Sequence, residues 1–259
     1  MLVHKYCSKK MVFFSIGYIL VIAILCTVYA ANGFSNSLFD YIVNLRSGGS
    51  MSVLTFYVGV LPTLAILIPV LIDQLENDIV ITRIKEKRKL LNQHMVFAVI
   101  MSALITFLLA ITGVVSSFVA VGHIDNLWPT QQGMVYLILE NKMHFPLYVD
   151  HVTSMKVWGY LLLSRFLMTI MIAFIIILLK AVLQKNVFVF FVTQIVFWAD
   201  SFLPQEFSLF TGKLRVGLDT WLSPQEQVFN IIYTTLVIVI LYLICSRLYR
   251  KKEFYQKIN

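Results

Sequence analysis

The stretch MVFAVIMSALITFLLAITGVVSSFVAV, residues 95–121, decides the fold class. It runs for 27 residues without a charged side chain. A helix rises about 1.5 Å per residue, so ~20 such residues cross the ~30 Å of a bilayer's hydrocarbon. Working outward along the chain, five more apolar runs meet the same requirement, at about 11–31, 53–73, 157–183, 187–203 and 227–246. The expected fold class is therefore all-α: a polytopic membrane protein with six transmembrane helices in a single domain, 1–259. The fifth run is the shortest and is interrupted by Gln194 and Asp200.

The composition agrees. Of 259 residues, 59% are hydrophobic and 13% charged, against ~25% charged in an average soluble domain. Mean hydropathy is +0.82. Soluble globular, disordered, collagen-like and disulfide-scaffold classes are excluded together. The cysteines, Cys7, Cys26 and Cys245, have no metal-ligand or disulfide spacing. The net charge of +8 reads as a topological signal and a match to anionic lipid headgroups, with no nucleic-acid partner expected.

The positions of the charges set the orientation. Fifteen of the 21 basic residues fall in the N-terminal tail, the 74–94 loop, the 180–186 turn and the C-terminal tail. Only Arg46, Lys142, Lys156, Lys213 and Arg215 lie on the other side. By the positive-inside rule both termini are expected in the cytoplasm. The outer loops are then 32–52, 122–156 and 204–226. In the middle one, Met134 to Leu139 reads as a short interfacial helix with Trp128 as its anchor, and Trp198 and Trp221 are expected at headgroup level.

Catalytic signatures are missing. There is no phosphate-binding GxxxxGK[ST] loop, no HExxH and no GxSxG. No catalytic residue, resident metal or cofactor is expected, and the chain does not read as an enzyme. One alternative is a membrane metalloenzyme, with His123, Asp125, Glu140, His144, Asp150 and His151 forming an outer site. Another is a membrane assembly factor without transport.

Ionisable groups inside spans carry a default functional suspicion. Arg165 lies in the fourth span and Asp200 near the outer end of the fifth. The short turn between these spans makes them antiparallel neighbours, so the two side chains can meet at similar depth. They are expected to form an ion pair that fixes the two helices. The alternatives are a polar contact for a transported molecule and snorkelling of Arg165 to the interface. Pro62 and Pro69 are expected to kink the second span.

The 74–94 loop is the most distinctive inner segment. Its apolar residues do not fall on one helical face, and two short helical pieces with a break near Thr82 fit it best. An acidic element, Glu76-Asn77-Asp78, is followed by Ile79 to Thr82, then by Arg83 and the basic cluster Lys87-Arg88-Lys89. With the six spans and the missing ATPase, this layout resembles the ABC-2 type permeases, the membrane subunits of bacterial ATP-binding-cassette exporters. The resemblance implies that residues 76–89 couple to a separate cytosolic ABC ATPase. Glu76 and Asp78 would meet basic groups of the cassette, Arg83 would pair with acids or cap a coupling helix, and Lys87 and Arg88 would lie beside it. It also implies pairing with a second permease copy or a related permease, location in a bacterial cell membrane, and export of an amphipathic cargo.

Overall fold

A computed structural model of the chain describes residues 9–76, 87–204 and 207–251. Among them the structure is helical throughout and contains no strand. Without water in hydrocarbon, backbone N–H and C=O groups must be satisfied within the segment, and helices do this for long apolar runs.

Helix α1 spans Lys9–Ala31 and is followed by a short helix α2, Leu38–Ile42. Helix α3 runs continuously over Val53–Leu75 and includes a π turn at Phe56–Val60. Helix α4, Lys87–Val121, ends on Gly122, whose φ of 78° and N–H bond to the Phe118 carbonyl form a glycine C-cap. Short helices α5 (Met134–Ile138) and α6 (Pro146–Val149) lead to α7, Ser154–Val182. Then come α8 (Asn186–Ser201), two short helices α9 (Thr211–Leu214) and α10 (Leu218–Leu222), and α11, Pro224–Lys251.

The centre of the bundle is α7, which packs against α11, α4, α3 and α8. Met171, Ile172, Ala173, Ile176 and Ile177 form its fully buried face. Helix α3 is the most enclosed, with 78% of its apolar window buried, whereas α1 and α11 have 22% buried and present apolar side chains outward. Helices apolar all round with so little of their surface covered mark a membrane protein.

The bundle has two distinct ends. Lys180 at the end of α7, Asp73 at the end of α3 and Asn186 at the start of α8 meet at one of them. His94 near the start of α4 and Tyr249 near the end of α11 meet there too. This is the basic end, where α1 starts and α11 finishes. The opposite, loop end gathers the three long connections.

One expectation about the spans changes. Five helices among the described residues are long and apolar enough to cross a membrane. The expected fifth span, 187–203, is instead the 16-residue α8, about 24 Å long and short of ~30 Å. It stops because Asp200 turns the chain back into the bundle. Pro62 is accommodated beside a π turn. Proline has no N–H for the carbonyl four residues earlier, here Val58, and the Tyr18 hydroxyl of α1 donates to that carbonyl at 2.8 Å.

Candidate functional site

The first connection, residues 32–52, folds back into the bundle. All five residues of α2 are buried. A Cβ on Gly113 of α4 would lie 2.6 Å from both Ile42 Cγ1 and Ser50 Oγ. Gly113 is eight residues from the end of α4, so the hairpin penetrates about 12 Å below that end. Buried backbone must be bonded at such depth, and polar side chains of the hairpin do this. Asp40 accepts from the Ser37 and Asn36 amides at 3.0 and 3.2 Å, and from the Trp128 indole N–H at 2.7 Å. Burial outweighs these donors and pushes the Asp40 carboxyl above its ordinary value. Asn44 accepts from the Arg46 and Ser47 amides, closing an Asx turn. The return segment needs Gly49: its φ is 101°, its N–H bonds the Cys26 carbonyl at 2.9 Å, and a Cβ there would stand 2.6 Å from the Ile42 oxygen.

Trp128 and Trp221 depart from expectation. Neither ring is on the protein surface; both are fully buried, with ring centroids 5.6 Å apart. Trp128 is drawn in by the Asp40 acceptor. Trp198, at 45% exposure, remains accessible. The expected helix after Trp128 is present as α5, with Met134 and Val135 buried.

The second hairpin follows α8. Asp200 accepts from the Leu209, Phe210 and Thr211 amides at 2.7, 3.0 and 2.8 Å, and from the Ser208 and Thr211 hydroxyls. It thereby neutralises the N-terminal turn of α9. Arg165 is fully buried and lies 5.6 Å from the Phe56 ring centroid. Its Nη2 donates to the Leu214 carbonyl, at the other end of α9, at 2.7 Å, and its Nε donates to the Met51 carbonyl at 3.0 Å. The expected Arg165–Asp200 ion pair is not formed among the described residues. The two charges instead hold opposite ends of one short helix, because the chain after Asp200 supplies amides closer than the guanidinium. Arg165 also ties the two hairpins together, since Met51 closes the first and Leu214 belongs to the second.

Between the hairpins lies a cavity of about 740 Å³. The starts of α3 and α10, the end of α8 and the Asn44–Gly48 turn line it. Tyr57, Trp198 and Tyr29 supply aromatic surface, and Arg46, Arg215, Asp219 and Glu226 supply charge. Tyr57 holds one wall: its hydroxyl donates to the Phe197 carbonyl at 2.8 Å and hydrogen-bonds the Thr211 hydroxyl. The geometry is that of a preformed amphipathic pocket.

At the basic end, Asp73 pairs with Lys180 at 2.7 Å and accepts from Asn186 at 2.6 Å. Lys180 also bonds the Gln184 carbonyl and the Asn186 side chain. Glu76 accepts from the Tyr249 hydroxyl at 3.4 Å, and Tyr249 in turn bonds His94 Nδ1 at 3.1 Å. Asp78 and Arg83, with the proposed break near Thr82, lie outside the described residues. Lys87 starts α4, and Arg88 beside it is exposed. Of the outer histidines and acids, His123 and Asp125 approach to 3.5 Å. Among the described residues no group of three or more His, Cys, Asp or Glu side chains gathers to hold a metal.

Asp40 and Asp73 have structural roles that the sequence reading did not single out. For Asp40 a signal exists, the spacing Ser37-x-x-Asp40 ahead of an apolar run, which is a helix-start pattern. For Asp73 there is none, since its partner comes from a helix more than a hundred residues away. No protein-family model matches the chain, and comparison with the curated proteins and with the solved structures finds no match either.

Proposed function

We propose that the chain is the membrane-spanning permease subunit of an ATP-binding-cassette exporter in a bacterial cell membrane. One observation carries this reading. Helix α3 is unbroken from the loop-end cavity, which Ser52, Val53, Leu54 and Tyr57 line, to Glu76, where the acidic and basic coupling segment begins. A force on residues 76–89 would thus act on the same continuous helix that forms a cavity wall some 34 Å away. The ion pair of Asp73 with Lys180 and the Glu76–Tyr249–His94 contacts extend that coupling to α7, α8, α11 and α4. ATP-driven closure of two cytosolic cassettes would act on Glu76, Asp78, Arg83, Lys87 and Arg88 in each of two permease chains and shift the helices between two arrangements. The chemistry of ATP hydrolysis belongs to the partner, and the permease itself is no enzyme.

The test is affinity purification of the tagged chain from its host in mild detergent, with mass spectrometry of what accompanies it. A cassette ATPase bearing a phosphate-binding loop is expected in near-stoichiometric amount. The pair of substitutions Glu76→Lys and Arg83→Glu is expected to abolish that association while the chain remains inserted. Unchanged association would overturn the coupling assignment, and absence of any ATPase from the intact chain would overturn the permease reading.

A further inference from the structure

An apolar stripe leads away from the cavity along the bundle surface. On α3 the accessible positions are Leu54, Val58, Pro62, Ile66 and Val70, spaced by four, and the other residues from Thr55 to Ile72 are buried. This apolar stripe starts in the cavity at Leu54 and is about 24 Å long, more than half the ~30 Å hydrocarbon thickness. At the level of Val58 it is walled on both sides. Tyr57, one position before Val58, meets the Trp198 ring of α8 at 5.1 Å between centroids. Gly59, one position after, faces Ile22 of α1, and Tyr18 of α1 bonds the Val58 carbonyl. Successive residues point roughly 100° apart, so α8 and α1 stand on opposite sides of the stripe.

The head of this groove is charged and balanced. The guanidinium groups of Arg46 and Arg215 are exposed and make no hydrogen bond or ion pair among the described residues. Asp219 and Glu226 line the same cavity. Two cations and two anions make a net-neutral lining, which suits a zwitterion better than an anion: an anion alone would face two carboxylates. Guanidinium groups bind phosphate through paired N–H donors, and carboxylates accept from an ammonium.

We infer that the cavity and the α3 stripe form one binding site for a zwitterionic amphipath bearing phosphate and ammonium on its head and an acyl-type chain. The phosphate lies against Arg46 and Arg215, the ammonium against Asp219 and Glu226, and the chain along α3 between α1 and α8. As a statement about cargo this rests on the permease reading; as a statement about binding it does not.

The experiment is native mass spectrometry of the full chain with dioleoyl phosphatidylethanolamine or dioleoyl phosphatidylglycerol at equal concentration, and with free phosphoethanolamine. The ethanolamine lipid is expected to bind about tenfold better than the glycerol lipid, and the free headgroup not measurably. Combined Arg46→Ala and Arg215→Ala substitutions are expected to erase the preference, and Lys142→Ala with Lys156→Ala, away from the cavity, to leave it intact. Equal binding of the two lipids, retention of the preference in the arginine double variant, or binding of free phosphoethanolamine as strong as that of the lipid would each overturn the proposal. Selective binding with no ATPase association would overturn the permease reading and leave this site standing.

Discussion

An arginine within a membrane helix has little water to bond, so its donors must find protein acceptors. Arg165 finds two backbone carbonyls, Met51 and Leu214, from segments far apart in the chain. Hydrogen bonds from charged donors contribute about 1.5–3 kcal/mol each, and a buried carbonyl left unmet costs about 1–3 kcal/mol. Arg165→Met is expected to lower stability by about 3 kcal/mol, read as a lower melting temperature in fluorescence-detected size exclusion. Arg165→Lys is expected to fall between the two, since an ammonium supplies a point charge in place of a planar fork. Tyr18 acts on a smaller scale. Its hydroxyl supplies the hydrogen bond that Pro62 cannot give to the Val58 carbonyl. Tyr18→Phe is expected to cost about 0.5–1.5 kcal/mol, and Tyr18→Phe combined with Pro62→Ala less than the sum, because alanine restores an N–H to the ladder. A double-mutant cycle on the same melting assay measures that coupling.

At the scale of elements, the two re-entrant hairpins differ in how they are held. The 32–52 hairpin depends on backbone shape. At Gly49 a positive φ and the Ile42 carbonyl leave no room for a side chain. Gly49→Ala is expected to destabilise the protein by about 1–3 kcal/mol. It is also expected to speed limited proteolysis within 44–50, where the chain must leave its place against α4. Gly17→Ala, inside α1 with nothing within 4 Å of the added carbon, is the control and is expected to cause no loss of stability. The second hairpin depends on charge, with Asp200 gathering amides at one end of α9 and Arg165 closing the other. That arrangement also explains the shortness of α8, whose last turn is committed to the hairpin and does not extend the span.

For the whole molecule, the central point is that α3 and α7 join the two ends. Each carries loop-end machinery, Met51 preceding α3 and Arg165 well inside α7, and the Asp73–Lys180 pair at its finish. Exposed basic residues crowd the end where α1 begins and α11 finishes, including Lys10, Arg88 and Arg250. We propose, from the positive-inside rule, that this end faces the cytoplasm. A cysteine at Ser47 is expected to react with a membrane-impermeant maleimide in intact cells, and a cysteine at Lys185 only after permeabilisation, in a Cys7→Ser background. The reverse pattern would overturn the proposed topology.

Long uncharged runs determine helices whatever their neighbours, because hydrocarbon offers backbone groups no other partner. The helical class and the positions of the long helices were therefore legible from residues 11–31, 53–73, 95–121, 157–183 and 227–246 alone. Arg165 and Asp200 were legible as residues that need partners, because an isolated charge in a membrane is costly. Which partners they take was not. Arg165 took backbone carbonyls and Asp200 mainly backbone amides, and every backbone position carries the same donor and acceptor, so no side-chain pattern marks Met51, Leu214 or the 209–211 amides in advance. The same reason hid the hairpins: their polar side chains read as those of any outer loop. Their burial was decided by the tertiary structure, where Gly113 opens a space on α4 that Ile42 and Ser50 fill. The cavity and its charged lining likewise exist only once these hairpins fold back against α3 and α8.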